Sequence, residues 1–108
     1  MIRKALVMRV NPGQEAEYAR RHQPIWPELE DTFREHGVLS YSIFLDPGSL
    51  QLFAYLEVES EEKWDLISQT AICRKWWAYM KDLMPCHPDN SPVACEMREV
   101  FHIDGGER

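Results

Sequence analysis

The residues most able to do chemistry are a tyrosine and a histidine four positions apart on the first predicted helix. Tyr18 and His22 are separated by about one helical turn, so their side chains share a face. Histidine has an ordinary pKa of about 6.5 and can give or take a proton at neutral pH. Because a helix C-terminus favours the protonated imidazole, the place of His22 just before Pro24 suits a proton donor. From spacing alone, an ordinary surface histidine near a helix end remains the alternative.

Two adjacent tryptophans could form one wall of a binding site. Trp76 and Trp77 lie about 100° apart around a helix, so only one can point straight into the core. An indole packs well on the apolar C–H face of a sugar ring, and its N–H donates to a hydroxyl. The structural alternative places Trp76 in a core stripe and Trp77 at its edge or at an interface. The spacing leaves both open.

Tyr41 is either a core residue or a phenol that faces a cleft, and its apolar alternation partners favour the core.

His36, His87 and His102 are scattered without the spacing of a metal site, and we predict no metal. The chain also lacks a phosphate-binding glycine loop, a nucleophile elbow and a distinctive glycosidase carboxylate pair. The residues alone therefore predict a cleft of histidine, tyrosine and tryptophan but no particular reaction.

Hydrophobic periodicity and turn signals predict the elements that must position this cleft. Strands are expected at residues 2–10, 38–46, 50–58 and 96–103. One helix should run from Gln14 to about His22, and a second from Pro27 to a stop at Gly37. A third should follow residue 60, break near residues 68–70 and resume to about Met84. This order predicts an α+β, ferredoxin-like split βαβ (βαββαβ) fold, with one antiparallel sheet and helices on one face.

The predicted second and third strands carry apolar residues on both faces. In the second strand, one face is expected to hold Leu39, Tyr41, Ile43 and Leu45 and the other Val38, Ser40, Ser42 and Phe44. Helices cover only one face, so a second copy packing sheet against sheet is the simplest cover for the other. We therefore predict a homodimer of the dimeric α/β-barrel type. Residues 1–103 should form a single domain, and residues 104–108 a flexible tail.

Composition narrows the functional classes. The 108 residues carry a formal net charge of -6, and such an acidic surface argues against nucleic-acid binding. No apolar run approaches the roughly 18–20 residues of a membrane span, and the N-terminal run is too short for a signal peptide. We therefore expect a cytoplasmic protein that binds no membrane. Three cysteines without a CxxC pair favour free thiols, although a Cys86–Cys95 disulfide is conceivable.

Four long motifs in the chain read MIRKALVMRVNP, EYARRHQPIWPELE, CRKWWAYMKDLMP and HPDNSPV. With these motifs at the same relative spacing, the chain resembles the L-rhamnose mutarotase family from Met1 to about Phe101. The resemblance implies a homodimer of ferredoxin-like subunits that interconverts the α and β anomers of L-rhamnopyranose without a metal or other cofactor.

The resemblance also implies roles for five residues. His22, in the RRHxP motif, would be the proton donor. The residues implied to bind the sugar are Tyr18, Tyr41, Trp76 and Trp77. The general base is not identified, since a carboxylate, a second histidine or an ordered water could serve.

Two other functions fit the same fold. One is a cofactor-free monooxygenase that acts on quinols or polyketides, and the other is a non-catalytic sugar-binding dimer. The sequence does not separate L-rhamnose from stereochemical relatives such as L-lyxose or L-mannose.

Overall fold

The protein, described here from a computed structural model of residues 1–106, combines one four-stranded antiparallel sheet with four helices. The strands are β1 (Ile2–Arg9), β2 (Val38–Asp46), β3 (Gln51–Val58) and β4 (Cys95–Met97). The helices are α1 (Glu15–Arg21), α2 (Pro27–Glu35), α3 (Glu61–Ile67) and α4 (Ala71–Met80). The predicted α+β ferredoxin-like class is confirmed. Glu107 and Arg108, the last residues of the predicted tail, lie outside the described residues.

The strand order β2-β3-β1-β4 places the two long central strands side by side. β1 pairs with β3 from Ile2–Val58 to Arg9–Gln51, and the β2–β3 hairpin pairs Asp46 with Gln51 at its turn. Alternate residues of β3 are fully buried under the helices, and they are Leu52, Ala54, Leu56 and Val58. The sheet therefore has one covered face, which holds the core, and one face that points away from the helices.

Side-chain caps fix where the last two helices begin. Ser60 accepts a hydrogen bond from the main-chain N–H of Lys63, and Thr70 accepts one from Cys73. The predicted break at residues 68–70 is therefore present: α3 ends at Ile67, and Thr70 is the N-cap of α4. The second segment ends at Met80 rather than at the predicted Met84. Met84 precedes Pro85, which disfavours helical geometry, and the carbonyl of Leu83 accepts from the N–H of Asn11 at 2.8 Å.

A β-bulge at the start of β2 corrects part of the predicted alternation. Val38 pairs with Val58 and Ser40 with the adjacent Glu57, so Leu39 is an extra residue in the ladder. Val38 consequently packs against the core with Tyr41, whereas Leu39 is 55% exposed. The assignment of Val38 to the face opposite Tyr41 was wrong because strict period-two alternation does not allow for a bulge.

The C-terminal strand is much shorter than predicted. Only Cys95–Met97 pairs with β1, and residues 98–103 are not in a strand. In that register Met97 faces Ala5, so residue 100 would face Ile2, where β1 begins. Residues 101–103 therefore have no partner in β1, and the pairing itself stops earlier, at Met97. Val100, Phe101 and Ile103 are 84%, 77% and 74% exposed.

A buried lysine ties three elements together at the end of the sheet. Lys4 of β1 is only 6% exposed, and its ammonium donates to Glu61 of α3 and Glu96 of β4, each at 2.9 Å. Burial by itself lowers the pKa of Lys4, but the two carboxylates outweigh it and raise that pKa above its ordinary value. Lys4 therefore links β1 to α3 and to the short strand β4 through two ion pairs.

Candidate active site

All five candidate residues line one cavity of about 270 Å³ between the sheet and the helices. Tyr18 and His22 come from α1, Tyr41 from β2, and Trp76 and Trp77 from α4. This volume is close to the lower end of typical small-molecule sites, which span about 300–1,000 Å³. Residues distant in the sequence thus converge on a space suited to a small ligand.

A second cavity of about 540 Å³ adjoins the first. Both are lined by the same six side chains, Tyr18, His22, Phe33, Tyr41, Ile43 and Trp76. Trp77 lines only the smaller cavity. The side chain of His22 therefore lies where the two spaces meet, and the larger one offers a route for a ligand to reach it.

The orientation of α1 is fixed by an ion-pair network beside His22. The Arg21 guanidinium donates to the main-chain oxygen of Tyr79 at 2.6 Å and to the carboxylate of Asp82 at 3.1 Å. It also donates to Glu17, one turn back on α1, at 2.7 Å. Arg21 is thus a bridge between the C-terminal ends of α1 and α4, which carry His22 and the tryptophans.

The protonation of the His22 ring follows from its hydrogen bond. Its Nδ1 lies 2.8 Å from the main-chain oxygen of Tyr18. A carbonyl oxygen can only accept, so Nδ1 carries a hydrogen and donates it. In the neutral ring Nε2 then holds a lone pair, and no hydrogen bond within residues 1–106 uses that nitrogen. The ring can accept a proton at Nε2.

Burial changes the expected resting charge of His22. Desolvation lowers the pKa of His22 below its ordinary 6.5, and the hydrogen bond to Tyr18 only partly offsets this. The expectation that the helix C-terminus would favour the protonated ring was therefore wrong, because the site is shielded from water. At neutral pH the imidazole rests uncharged.

The two phenols stay protonated at physiological pH. Burial raises the pKa of Tyr41 to about 12, and it also raises the pKa of Tyr18, with a smaller contribution from nearby Tyr41. Among the hydrogen bonds of residues 1–106, none involves either phenolic oxygen. Both hydroxyl groups line the cavity without a protein partner and can donate to a bound molecule.

Tryptophan supplies the wall beside His22. The Trp76 ring meets the His22 ring edge-on with centroids 5.2 Å apart, and it meets Trp26 in the same manner at 5.0 Å. Trp77 packs against a buried cluster of Leu29, Ile67 and Cys73. The guanidinium of Arg74 lies above its ring at 6.0 Å. Trp76 thus fills both roles considered above, as a core-packing residue and a cavity wall.

Sequence reasoning missed several lining residues. Phe33 and Trp64 flank Tyr41 at ring-centroid distances of 5.3 and 6.2 Å and extend the aromatic lining. The loop after α4 adds Asn90 and Ser91 to the smaller cavity. The HPDNSPV motif marks that loop, but no residue type in it had suggested a role.

Across residues 1–106, no group of three or more His, Cys, Asp or Glu side chains is arranged to hold a metal ion. Within the same residues, no helix combines the length and apolar character needed to cross a bilayer.

Comparison with known proteins relates the site to a family. The L-rhamnose mutarotase family matches residues 3–103. A relative from Tolumonas auensis, named L-rhamnose mutarotase, is 58% identical over 103 residues, which cover 95% of this chain and 99% of the relative. One from Yersinia pestis with the same name is also 58% identical, covering 96% of this chain and all of the relative.

Solved structures agree with this relationship. The crystal structure of an L-rhamnose mutarotase from Formosa agariphila aligns with a TM-score of 0.88 and 38% identity, covering 96% of this chain and 100% of that one. An antibiotic biosynthesis monooxygenase from Nitrosomonas europaea aligns at a TM-score of 0.63 but only 14% identity, covering 94% of this chain and 100% of that one. The second likeness shows a shared fold alone. By sequence and by structure, the chain belongs to the L-rhamnose mutarotase family.

Proposed function

We propose that this enzyme interconverts the α and β anomers of L-rhamnopyranose by opening and reclosing the sugar ring, in L-rhamnose metabolism. The observation that carries the proposal is the convergence of Tyr18, His22, Tyr41, Trp76 and Trp77 on one cavity. The relatives that are 58% identical over nearly the whole chain carry the name of this activity. The monooxygenase alternative has only fold likeness at 14% identity, and a non-catalytic sugar-binding dimer has no better support.

His22 is the proton-transfer group in this proposal. Ring opening requires removal of the proton on the anomeric oxygen, cleavage of the bond from C1 to the ring oxygen, and protonation of that ring oxygen. The neutral ring takes the anomeric proton at Nε2, and the resulting imidazolium donates it to the ring oxygen. Both oxygens are attached to C1, so one nitrogen can reach each in turn and no proton leaves the site. Reclosure on the other face of the aldehyde reverses these steps.

The remaining four residues hold the sugar in place. Tyr18 and Tyr41 donate to ring hydroxyls, because both phenols are protonated and lack protein partners. Trp76 and Trp77 pack on the apolar face of the ring. The opened aldehyde is thereby kept beside His22 until it rotates and recloses. This chemistry uses side chains only, and the proposal includes no metal or other cofactor.

We also propose a homodimer formed through the uncovered face of the sheet. Phe44 on that face is 64% exposed. The apolar segment Val100, Phe101 and Ile103 adds further exposed area at the other end of the chain. A second copy can cover these apolar surfaces by packing its own sheet face to face on this one, at a spacing of about 10 Å. For a sugar-metabolising enzyme with this acidic composition, we place the dimer in the cytoplasm, without nucleic-acid or membrane partners.

Saturation-transfer NMR on L-rhamnose tests the activity. Irradiating one anomeric proton signal should reduce the other within seconds when the enzyme is present, faster than in buffer alone. L-Lyxose and L-mannose under the same conditions measure the breadth of specificity. Binding of L-rhamnose without accelerated exchange would favour the non-catalytic module, and oxygen uptake with a quinol would favour the monooxygenase.

A further inference from the structure

The loop between α4 and β4 is held mainly by hydrogen bonds between its own residues. Cys86 and Pro92 form an isolated antiparallel bridge, and the N–H of His87 donates to the carbonyl of Ser91 at 2.8 Å. The carboxylate of Asp89 accepts from both the N–H and the hydroxyl of Ser91. These bonds use the polar groups on either side of Asn90 and give the loop a defined shape.

Asn90 is at the apex of this loop in the left-handed backbone region. Its φ is 73°, and its N–H donates to the carbonyl of His87 at 2.8 Å. Asparagine tolerates this conformation better than most residues other than glycine.

The carboxamide of Asn90 is available to a ligand in the cavity that holds the five candidate residues. Asn90 lines the smaller cavity, and no hydrogen bond within residues 1–106 uses its side-chain oxygen or nitrogen. Ser91 lines the same cavity, but its hydroxyl is already bound to Asp89. Asn90 is therefore the polar side chain of this loop that is left to meet a substrate.

A carboxamide offers a donor and an acceptor side by side on one rigid group. Each sugar hydroxyl both donates and accepts, whereas the Asp65 carboxylate in this cavity only accepts and the indole N–H groups only donate. The Asn90 oxygen accepts one hydroxyl hydrogen while the adjacent N–H₂ donates to the next hydroxyl. A pair of neighbouring ring hydroxyls matches this side-by-side arrangement.

From these contacts we infer that Asn90 is a further substrate-binding residue, whose carboxamide binds two adjacent ring hydroxyls of the sugar and sets specificity. This inference rests on the proposed mutarotase activity. It assigns a role to the HPDNSPV loop that is independent of the acid–base chemistry of His22. Asn90 acts on binding rather than on proton transfer.

The test compares Asn90→Gly with His87→Ala. Glycine keeps the left-handed backbone without strain and removes only the carboxamide. His87 is an exposed residue of the same loop that lines neither cavity, so its substitution is the matched control. KM and kcat come from anomer-exchange rates at several L-rhamnose concentrations, with a thermal melt to verify folding. Asn90→Gly should raise KM about tenfold, equivalent to about 1.4 kcal/mol, with kcat changed less than threefold, and His87→Ala should match the wild type.

Analogues of L-rhamnose that each lack one ring hydroxyl make the test specific. In the wild type, the analogue missing a hydroxyl bound by Asn90 should have a raised KM, and in Asn90→Gly that penalty should vanish. Asn90→Asp, which keeps the shape but loses the donor, should also raise KM for L-rhamnose. The inference is overturned if Asn90→Gly leaves KM within twofold, lowers kcat alone, or weakens every analogue equally. A wild-type enzyme without any exchange activity would instead overturn the proposed function.

Discussion

At His22, burial and a main-chain hydrogen bond act on the same ring in opposite directions. Burial lowers the pKa and leaves the ring neutral at pH 7, while the bond from Nδ1 to Tyr18 keeps the lone pair on Nε2. A neutral acceptor is the state needed to take the proton of the anomeric hydroxyl. The sequence identifies the residue by its motif, but it shows neither its burial nor its tautomer. Burial depends on how Trp76 of α4 packs on the ring, and the tautomer depends on the bond to the Tyr18 carbonyl.

The pH dependence of kcat/KM tests this protonation state. Accepting a proton requires neutral His22, so kcat/KM should be constant above pH 6.5 and fall as pH drops through a pKa that lies below 6.5. Exchange rates between pH 4.5 and 8, corrected for the uncatalysed rate, give the profile. Activity that instead falls as pH rises through that pKa would mean that the resting enzyme must hold an imidazolium.

The phenols of Tyr18 and Tyr41 should contribute to binding rather than to proton transfer. Each change to phenylalanine removes one hydrogen bond to the sugar, worth about 0.5–1.5 kcal/mol, so KM should rise about two- to tenfold. Neither oxygen bonds the protein within residues 1–106, so the thermal midpoint should hardly change. Tyr55→Phe, which loses only a bond to Glu57 at 2.8 Å, is the control. A loss of kcat at unchanged KM would place the phenols in the chemical step.

At the scale of elements, the hairpin and the helix starts were predictable and the sheet edges were not. Pro27 and the Ser60 cap signal helix starts locally, and the structure has α2 and α3 beginning there. Pairing of β4 stops at Met97 although β1 continues to Ile2, and the apolar pattern of residues 98–103 does not signal that end. The bulge at Leu39 likewise arises from pairing with β3. Asn90 was missed for a similar reason, because only the folded loop brings it to the cavity.

The ion pairs of Lys4 with Glu61 and Glu96 should stabilise the edge of the sheet. Lys4→Met keeps the apolar stem but removes three charge-assisted hydrogen bonds, two to Glu61 and one to Glu96, while the half-exposed glutamates regain water. We expect a loss of about 1–2 kcal/mol in the free energy of unfolding, measured by urea denaturation. Lys63→Met removes a well-exposed pair with Glu59 at 2.8 Å and should cost less than about 0.5 kcal/mol. Equal effects of the two substitutions would show that burial of Lys4 adds nothing.

At the scale of the whole molecule, the cavity and the uncovered face lie on opposite sides of one sheet. Helices supply the catalytic groups on one side, and β2 presents Phe44 on the other. The order of strands and helices was enough to predict the fold class. That a second copy covers the uncovered face remains a prediction, and it rests on the exposed apolar residues there.

Light scattering tests the dimer. The mass should be twice the 12.7 kDa of one chain, and Phe44→Glu should weaken association more than tenfold by burying a charge in the interface. Leu66→Glu, at a residue of α3 that is 54% exposed, is the control and should leave the mass unchanged. A wild-type mass of 12.7 kDa would exclude the dimer.

The central claim, that His22 catalyses anomer exchange of L-rhamnose, is tested most directly by comparing His22→Ala with His36→Ala. His36 also follows a helix and donates from Nδ1 to a main-chain oxygen, that of Thr32 at 2.8 Å, but it lines neither cavity. In saturation-transfer NMR at saturating L-rhamnose, His22→Ala should lower the enzymatic exchange rate by about 10²–10⁴-fold, and His36→Ala should leave it unchanged. A His22→Ala enzyme that is folded and within threefold of the wild-type rate would contradict the account.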